Sequence, residues 1–312
     1  MFNVLRKGVI LKAYLLSCSV ILSLILVGCS STGSNNQADT ELLIYTSIYP
    51  IQYVTEEIAG EIATVESVYP PGVDAHTYEP ATKEVTAIAG SDAFIYLGAG
   101  MEGFAETTAE ALHSKDVSLI ELGENKELFQ TDTPTEDHHD HDPHIWLDPL
   151  KMIEMAALIT DELIQITPDH EDEYNKNFKE LETNLLALHE EFSEGLERKE
   201  NKKIIVSHAA YGYWEDLYGI EQIPISGLSS GSEPSQKELT KIVKLAEENQ
   251  IKYVIFEQNS SDRVSEIIQE HIQADPLRIH NLEVLTEEDL DNQKDYLSIM
   301  KENLDVLKQA TQ

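Results

Sequence analysis

Thiols are almost missing from this sequence. Only Cys18 and Cys29 occur in 312 residues, so nothing beyond residue 29 can form a disulfide or a thiolate metal site. Any metal must be held by His, Asp or Glu. Basic residues are scarce too: 22 Lys and Arg stand against 57 Asp and Glu, a formal charge of −35. Phosphate contacts need clustered Lys and Arg, so nucleic acid is not an expected partner. The acidity suits a soluble, self-repelling surface and mildly concentrates cations near it. Only one long apolar run is present, Ala13 to Val27, and it is shorter than the ~20 residues of a spanning helix. No His-Glu-x-x-His string occurs, so the commonest helical signature of a zinc hydrolase is absent.

Arg6, Lys7 and Lys12 precede the apolar run, which ends in Leu26-Val27-Gly28-Cys29. A basic start, a short apolar stretch and small residues at the cut describe a signal peptide over 1–28. Leu-Val-Gly-Cys resembles the bacterial lipobox, and the resemblance implies lipid attachment at Cys29. Residues 29–40, rich in Ser, Thr, Asn and Gly, read as a flexible tether.

From Glu41 strands and helices alternate. Leu42 to Tyr45, Thr64 to Tyr69, Ala93 to Leu97 and Val117 to Leu119 read as short buried strands. Ile51 to Ala59 and Pro80 to Ala89 have helical spacing. A second series starts near Lys203, with strands at Ile204 to Val206 and Tyr253 to Phe256. There Ser235 and Glu238 form a capping box for a helix to about Asn249, and helices follow from about Ser261 and Gln293. The pattern argues for α/β architecture with mostly parallel sheets.

Between the halves, Thr167 and Pro168 suit a helix start. Tyr174, Phe178, Leu181, Leu185, Leu188, Phe192 and Leu196 then form one apolar stripe. Such a stripe fits a coiled coil with a partner or a rigid spine, and two flanking α/β halves favour the spine. The expected organisation is an N-terminal lobe at 41–166, a linking helix at 167–200 and a C-terminal lobe at 201–312.

Three of the eleven His residues occupy telling places. His76 lies in a loop after a strand and before a helix. His144 sits just upstream of a helix opened by Asp148 and Pro149, where capping explains Asp148 more cheaply than metal ligation. His208 ends the first strand of the second half. In open α/β sheets these positions face the ligand crevice. Imidazole suits Zn²⁺, and three His with one carboxylate would complete a tetrahedron.

The strings Asp74-Ala75-His76-Thr77-Tyr78-Glu79-Pro80, Pro143-His144-Ile145-Trp146-Leu147-Asp148-Pro149 and Ser207-His208-Ala209-Ala210-Tyr211-Gly212-Tyr213 resemble the metal-binding lipoproteins of ABC-type zinc and manganese importers. Gly227 to Ser235 and Tyr253 to Ser265 look like the same family. The resemblance covers essentially the whole chain after the leader. It implies two α/β lobes joined by a long backbone helix, metal in the cleft between them, and His76, His144 and His208 as ligands. It points to Glu283 as the fourth ligand. Here Ile279-His280-Asn281-Leu282-Glu283-Val284-Leu285 departs from the family's Asn-Pro-Leu-Glu-Gly-Leu string, which leaves water or His280 as alternatives. The run Glu136 to Asp142 resembles a short form of the zinc branch's His-rich loop and reads as a mobile loop. His138, His139 and His141 are its candidate auxiliary ligands.

The implied function is capture of Zn²⁺, with Mn²⁺ as the rival metal, and delivery to an ABC permease and its ATPase. The implied place is the outer face of a bacterial membrane, on a monomer anchored through Cys29. A secreted zinc hydrolase and an adhesin are the readings from other classes. Neither catalytic residues nor a receptor site stand out in the sequence.

Overall fold

The computed structural model describes residues 42–130, 142–232, 234–258 and 263–311. The leader, the tether with Cys29, and His138, His139 and His141 lie outside the described residues, as do Glu233 and residues 259–262 of the matched strings.

The first half is a parallel sheet of β1 (Leu42–Thr46), β2 (Ala63–Ser67), β3 (Ala93–Tyr96) and β4 (Ser118–Glu121), ordered β2-β1-β3-β4. Helices α1 (Tyr49–Ala59), α2 (Thr82–Ile88) and α3 (Ala105–Leu112) connect the strands. β3 is buried along its whole length, which is why its sequence, Ala-Phe-Ile-Tyr, is unbroken by polar residues.

Two helices follow, α4 (Pro149–Ile166) and α5 (Glu171–Glu197). The second half repeats the first in strand order. Its parallel sheet is β6-β5-β7-β8, from β5 (Lys203–Val206), β6 (Glu221–Pro224), β7 (Tyr253–Glu257) and β8 (Asp275–Ile279). α6 (Gly212–Tyr218), α7 (Gln236–Glu248) and α8 (Arg263–Ile272) connect these strands, and α9 (Glu287–Asp291) and α10 (Tyr296–Ala310) close the chain. β6 and β8 escaped the sequence reading. Both are edge strands with partly exposed side chains, and both contain a proline, so neither shows an apolar run.

α5 is the spine. Its 27 residues span about 40 Å at ~1.5 Å per residue. Tyr174, Leu181, Leu185, Leu188, Phe192 and Leu196 are all buried. The helix packs on α1 and α4 of the first half and on α6 and α10 of the second. The stripe is thus used within the chain, which removes the reason for a coiled-coil partner. The helix start differs from expectation. Pro168–His170 forms a 3₁₀ turn, and the Thr167 side chain caps nothing. Its hydroxyl instead donates to the Leu163 carbonyl at 3.1 Å and meets the Tyr174 hydroxyl at 2.6 Å, tying α4 to α5. Lys199 donates to the Lys308 and Thr311 carbonyls at the end of α10. Among the described residues no helix is long and apolar enough to cross a membrane.

Candidate metal centre

Each candidate ligand follows the carboxyl end of a strand. His76 comes after β2, His144 after β4, His208 directly after β5 and Glu283 after β8. Parallel strands send all their carboxyl ends the same way, so residues far apart in sequence arrive at one crevice. The four offer ligand atoms that all lie within 4.8 Å of one another.

The separations have the scale of a zinc site. Glu283 Oε1 is 3.5 Å from His76 Nε2 and 3.7 Å from both His144 Nε2 and His208 Nε2. The latter two nitrogens face each other at 3.2 Å. Ligands about 2.1 Å from a central Zn²⁺ form a tetrahedron with edges of about 3.4 Å. His76 Nε2 and Glu283 Oε1 are buried without a hydrogen-bond partner. A buried polar atom left without a partner costs free energy, and a cation at the centre of the four would satisfy both atoms.

Two rings are aimed by carboxylates. His144 Nδ1 bonds Asp142 Oδ1 at 2.7 Å, and the same oxygen accepts the His144 amide at 2.9 Å. His208 Nδ1 bonds Glu257 Oε1 at 2.5 Å. With Nδ1 engaged by an anion, Nε2 is turned to the centre as a ligand, the arrangement that fixes tautomer and raises basicity in metal sites. Glu257 is itself held: the Tyr211 hydroxyl and the Asn281 amide donate to it at 3.3 and 3.2 Å. Asp142 Oδ2 fills the space beside Gly212, where a Cβ would stand only 2.6 Å from it.

The charges follow from this packing. Burial alone would lower the His208 pKa, but Glu257, by charge and hydrogen bond, and then Glu283 and Asp142 raise it to about 9. Burial alone would raise Glu283, yet the imidazole of His76, 3.5 Å away, and then those of His208 and His144 bring it below the ordinary carboxylate range.

Hydrogen bonds to backbone carbonyls hold the rest of the frame. Trp146, beside the His144 ring, donates to the Asn281 carbonyl at 2.8 Å. Tyr213, Trp214 and Tyr296 donate to the backbone carbonyls of Asp142, Leu147 and Trp146. Asp148 is a helix cap: its carboxylate accepts the Leu150 amide at 2.7 Å, and burial pushes its pKa up to about 6. The His76 loop is pinned by Tyr69, which donates to the Ala75 carbonyl at 2.9 Å, and by Ser230, which donates to Asp74 at 2.6 Å.

Two expectations change. His280 does not reach the centre, because its Nδ1 accepts the Leu282 amide at 2.9 Å and its Nε2 meets Asp289 at 3.1 Å. Asp142, read as the last residue of a mobile loop at 136–142, belongs instead to the frame around His144. Gly227-Leu228-Ser229-Ser230-Gly231 has Gly-x-Ser-x-Gly spacing that the sequence reading passed over. It lies in a turn between β6 and α7 and lacks the strand–Ser–helix context of a nucleophile elbow. Sequence reasoning also missed Glu257, whose signal was a carboxylate ending an otherwise apolar strand.

Two parallel-sheet halves, a helical spine and a buried three-His, one-carboxylate cluster between strand ends define the class of two-lobed metal-binding proteins. The comparisons make this specific. Residues 44–310 match the family described as "Zinc-uptake complex component A periplasmic", and the chain belongs to that family. It is 33% identical over 310 residues to the zinc-binding lipoprotein AdcA of Streptococcus pneumoniae, covering 96% of this chain and 61% of AdcA. It therefore spans less than two thirds of that relative. It is 30% identical over 299 residues to the high-affinity zinc uptake system protein ZnuA of Bacillus subtilis, covering 92% of this chain and 94% of that protein. The solved Zn(II)-bound ZnuA-like domain of S. pneumoniae AdcA matches with a TM-score of 0.73 at 32% identity, covering 87% of this chain and 99% of that one. The laminin-binding protein Lmb of Streptococcus agalactiae, described as bifunctional with adhesin and metal transporting activity, matches with a TM-score of 0.76 at 27% identity, covering 86% and 99%.

Proposed function

We propose that this chain is the extracytoplasmic zinc-capturing component of an ABC importer, with His76, His144, His208 and Glu283 as the zinc ligands. The observation that carries the reading is the pair of partnerless buried atoms, His76 Nε2 and Glu283 Oε1, facing each other within a cluster of zinc-site dimensions. Four protein ligands close the ion off, which suits holding rather than the open position that catalysis needs. Three imidazoles and one carboxylate favour Zn²⁺ over Mn²⁺, which prefers more oxygen donors. The ion is cargo, and a permease with its ATPase receives it. In a competition titration the purified chain should take up one Zn²⁺ that excess Mn²⁺ does not displace. Preferential Mn²⁺ retention, or turnover of ester or peptide substrates by the zinc form, would refute this assignment.

The organisation that serves this role is a leader at 1–28, a tether at 29–40, lobes at 41–166 and 201–312, and the linking helix between. Cys29 carries the lipid that keeps the protein at the membrane. Cys29→Ser should free the protein into the medium or stall its processing. Full membrane retention of a processed Cys29→Ser chain would rule the anchor out.

His138, His139 and His141 collect zinc weakly. Deleting residues 136–141 should remove weak extra binding and leave the tight site. Asp142→Ala, by contrast, should weaken the tight site about tenfold or more, the usual cost of losing a ligand's carboxylate partner. Equal affinities for the two variants, measured by chelator competition, would contradict the division drawn at Asp142.

A further inference from the structure

Glu283 is presented by an unusual piece of backbone. Leu282, fully buried, has φ of 65°, in the left-handed region that side-chain-bearing residues avoid. Something must hold it there, and strain of this kind persists only where neighbours over-determine it. The Leu282 amide donates to His280 Nδ1 at 2.9 Å. That bond requires a bare Nδ1 and hence a proton on Nε2, which faces Asp289 Oδ2 at 3.1 Å. The His280 ring is thus a neutral strut with a fixed tautomer.

The strut is anchored from behind. Asn303 on α10 clamps the His280 backbone on both sides: its oxygen accepts the His280 amide at 2.9 Å, and its amide donates to the His280 carbonyl at 2.8 Å. Asp289 is fixed by the Thr286 amide at 3.0 Å and by Lys294 at 3.5 Å. In front, the Asn281 side chain accepts the Glu283 amide at 3.2 Å and pairs with Gln258. His280, Asn281, Leu282, Glu283, Asp289 and Asn303 are all buried. A chain of bonds runs from α9 and α10 through His280 to the Leu282 amide, one residue before Glu283.

We propose that His280 is the positioning residue for Glu283: its unprotonated Nδ1 holds Leu282 in the left-handed conformation that aims the Glu283 carboxylate at the three imidazoles. His280 touches no metal in this account and acts only through Glu283. The proposal rests on the reading of Glu283 as a zinc ligand.

The test is zinc affinity, by chelator competition with zinc alone, for the parent chain, His280→Phe, His280→Asn, Glu283→Ala and the His280→Phe/Glu283→Ala double variant. His280→Phe keeps a ring but loses the acceptor, and it should weaken zinc binding about tenfold, as loss of an outer partner of a ligand does. On the Glu283→Ala background the same change should cost nothing more. His280→Asn should stay close to the parent, because an Asn side chain can accept the amide two residues on. Parent-like affinity in His280→Phe would overturn the proposal, as would an equal loss on the Glu283→Ala background or a His280→Asn variant as weak as His280→Phe. Unchanged affinity in Glu283→Ala would instead remove Glu283 from the ligand set, a separate failure. If the Phe variant does not fold, ¹⁵N NMR of the His280 ring in the parent decides: a protonated Nε2 with bare Nδ1 is expected, and a protonated Nδ1 at neutral pH overturns the strut.

Discussion

His208→Ala should lower zinc affinity by about two orders of magnitude, and Glu283→Ala by clearly less. Closed zinc sites bind with roughly 10–16 kcal/mol, so one of four ligands contributes about 3 kcal/mol, or about a hundredfold. His208 exceeds an average share because its removal also breaks its bond to the Glu257 carboxylate. That carboxylate is buried and oriented toward the His208 ring by bonds from Tyr211 and Asn281. Glu283 falls below the average because a water oxygen can stand in for a carboxylate oxygen. Isothermal titration with a competing chelator measures both. A larger loss in Glu283→Ala than in His208→Ala would mean that the carboxylate, not the buried ring, anchors the ion.

Zinc binding should release about one proton per ion near neutral pH, and affinity should weaken steadily as pH falls. His208, raised to about 9 by Glu257, Glu283 and Asp142 against the opposing effect of burial, carries a proton in the metal-free protein. It must lose that proton to coordinate zinc. Below pH about 9, log affinity therefore rises by about one per pH unit on this group's account. The metal-free fold behaves in the opposite sense. The folded pKa lies above the unfolded value near ~6.5, so the stabilisation from the protonated His208–Glu257 pair is complete below that value. It is lost as pH rises through about 9. Titrations in buffers of different ionisation enthalpy count the proton, and melting curves of the metal-free chain follow the stability. A zinc affinity that is flat from pH 8 to pH 6 would contradict the charge state assigned to His208.

The fold was legible where burial writes itself into the sequence. The buried strand β3 and the stripe on α5 are apolar because packing covers them. The edge strands β6 and β8 were not, since each combines partly exposed side chains with a proline. The Thr167 reading failed for a related reason: a hydroxyl that can cap can also bond backward to Leu163 and sideways to Tyr174. His76, His144 and His208 drew notice through their places at strand and helix ends, and parallel topology brings them together. Their partners were hidden. Glu257 is 49 residues from His208 and meets it only through the pairing of β5 with β7. Asp142 is only two residues before His144 but ends an acidic run that resembles a loop throughout, and only its bonds to His144 and Tyr213 reveal its role. His280 looked like a rival ligand because proximity in sequence says nothing about which way a ring faces.

The claim that His76, His144, His208 and Glu283 together hold the cargo is tested most directly by a crystal structure of the zinc-loaded chain with anomalous data at the zinc edge. The account expects one fully occupied ion bound by the Nε2 atoms of the three histidines and one Glu283 oxygen, each at about 2.0–2.2 Å. An ion seated elsewhere, or at this centre with Glu283 turned away and another protein atom in its place, would contradict it.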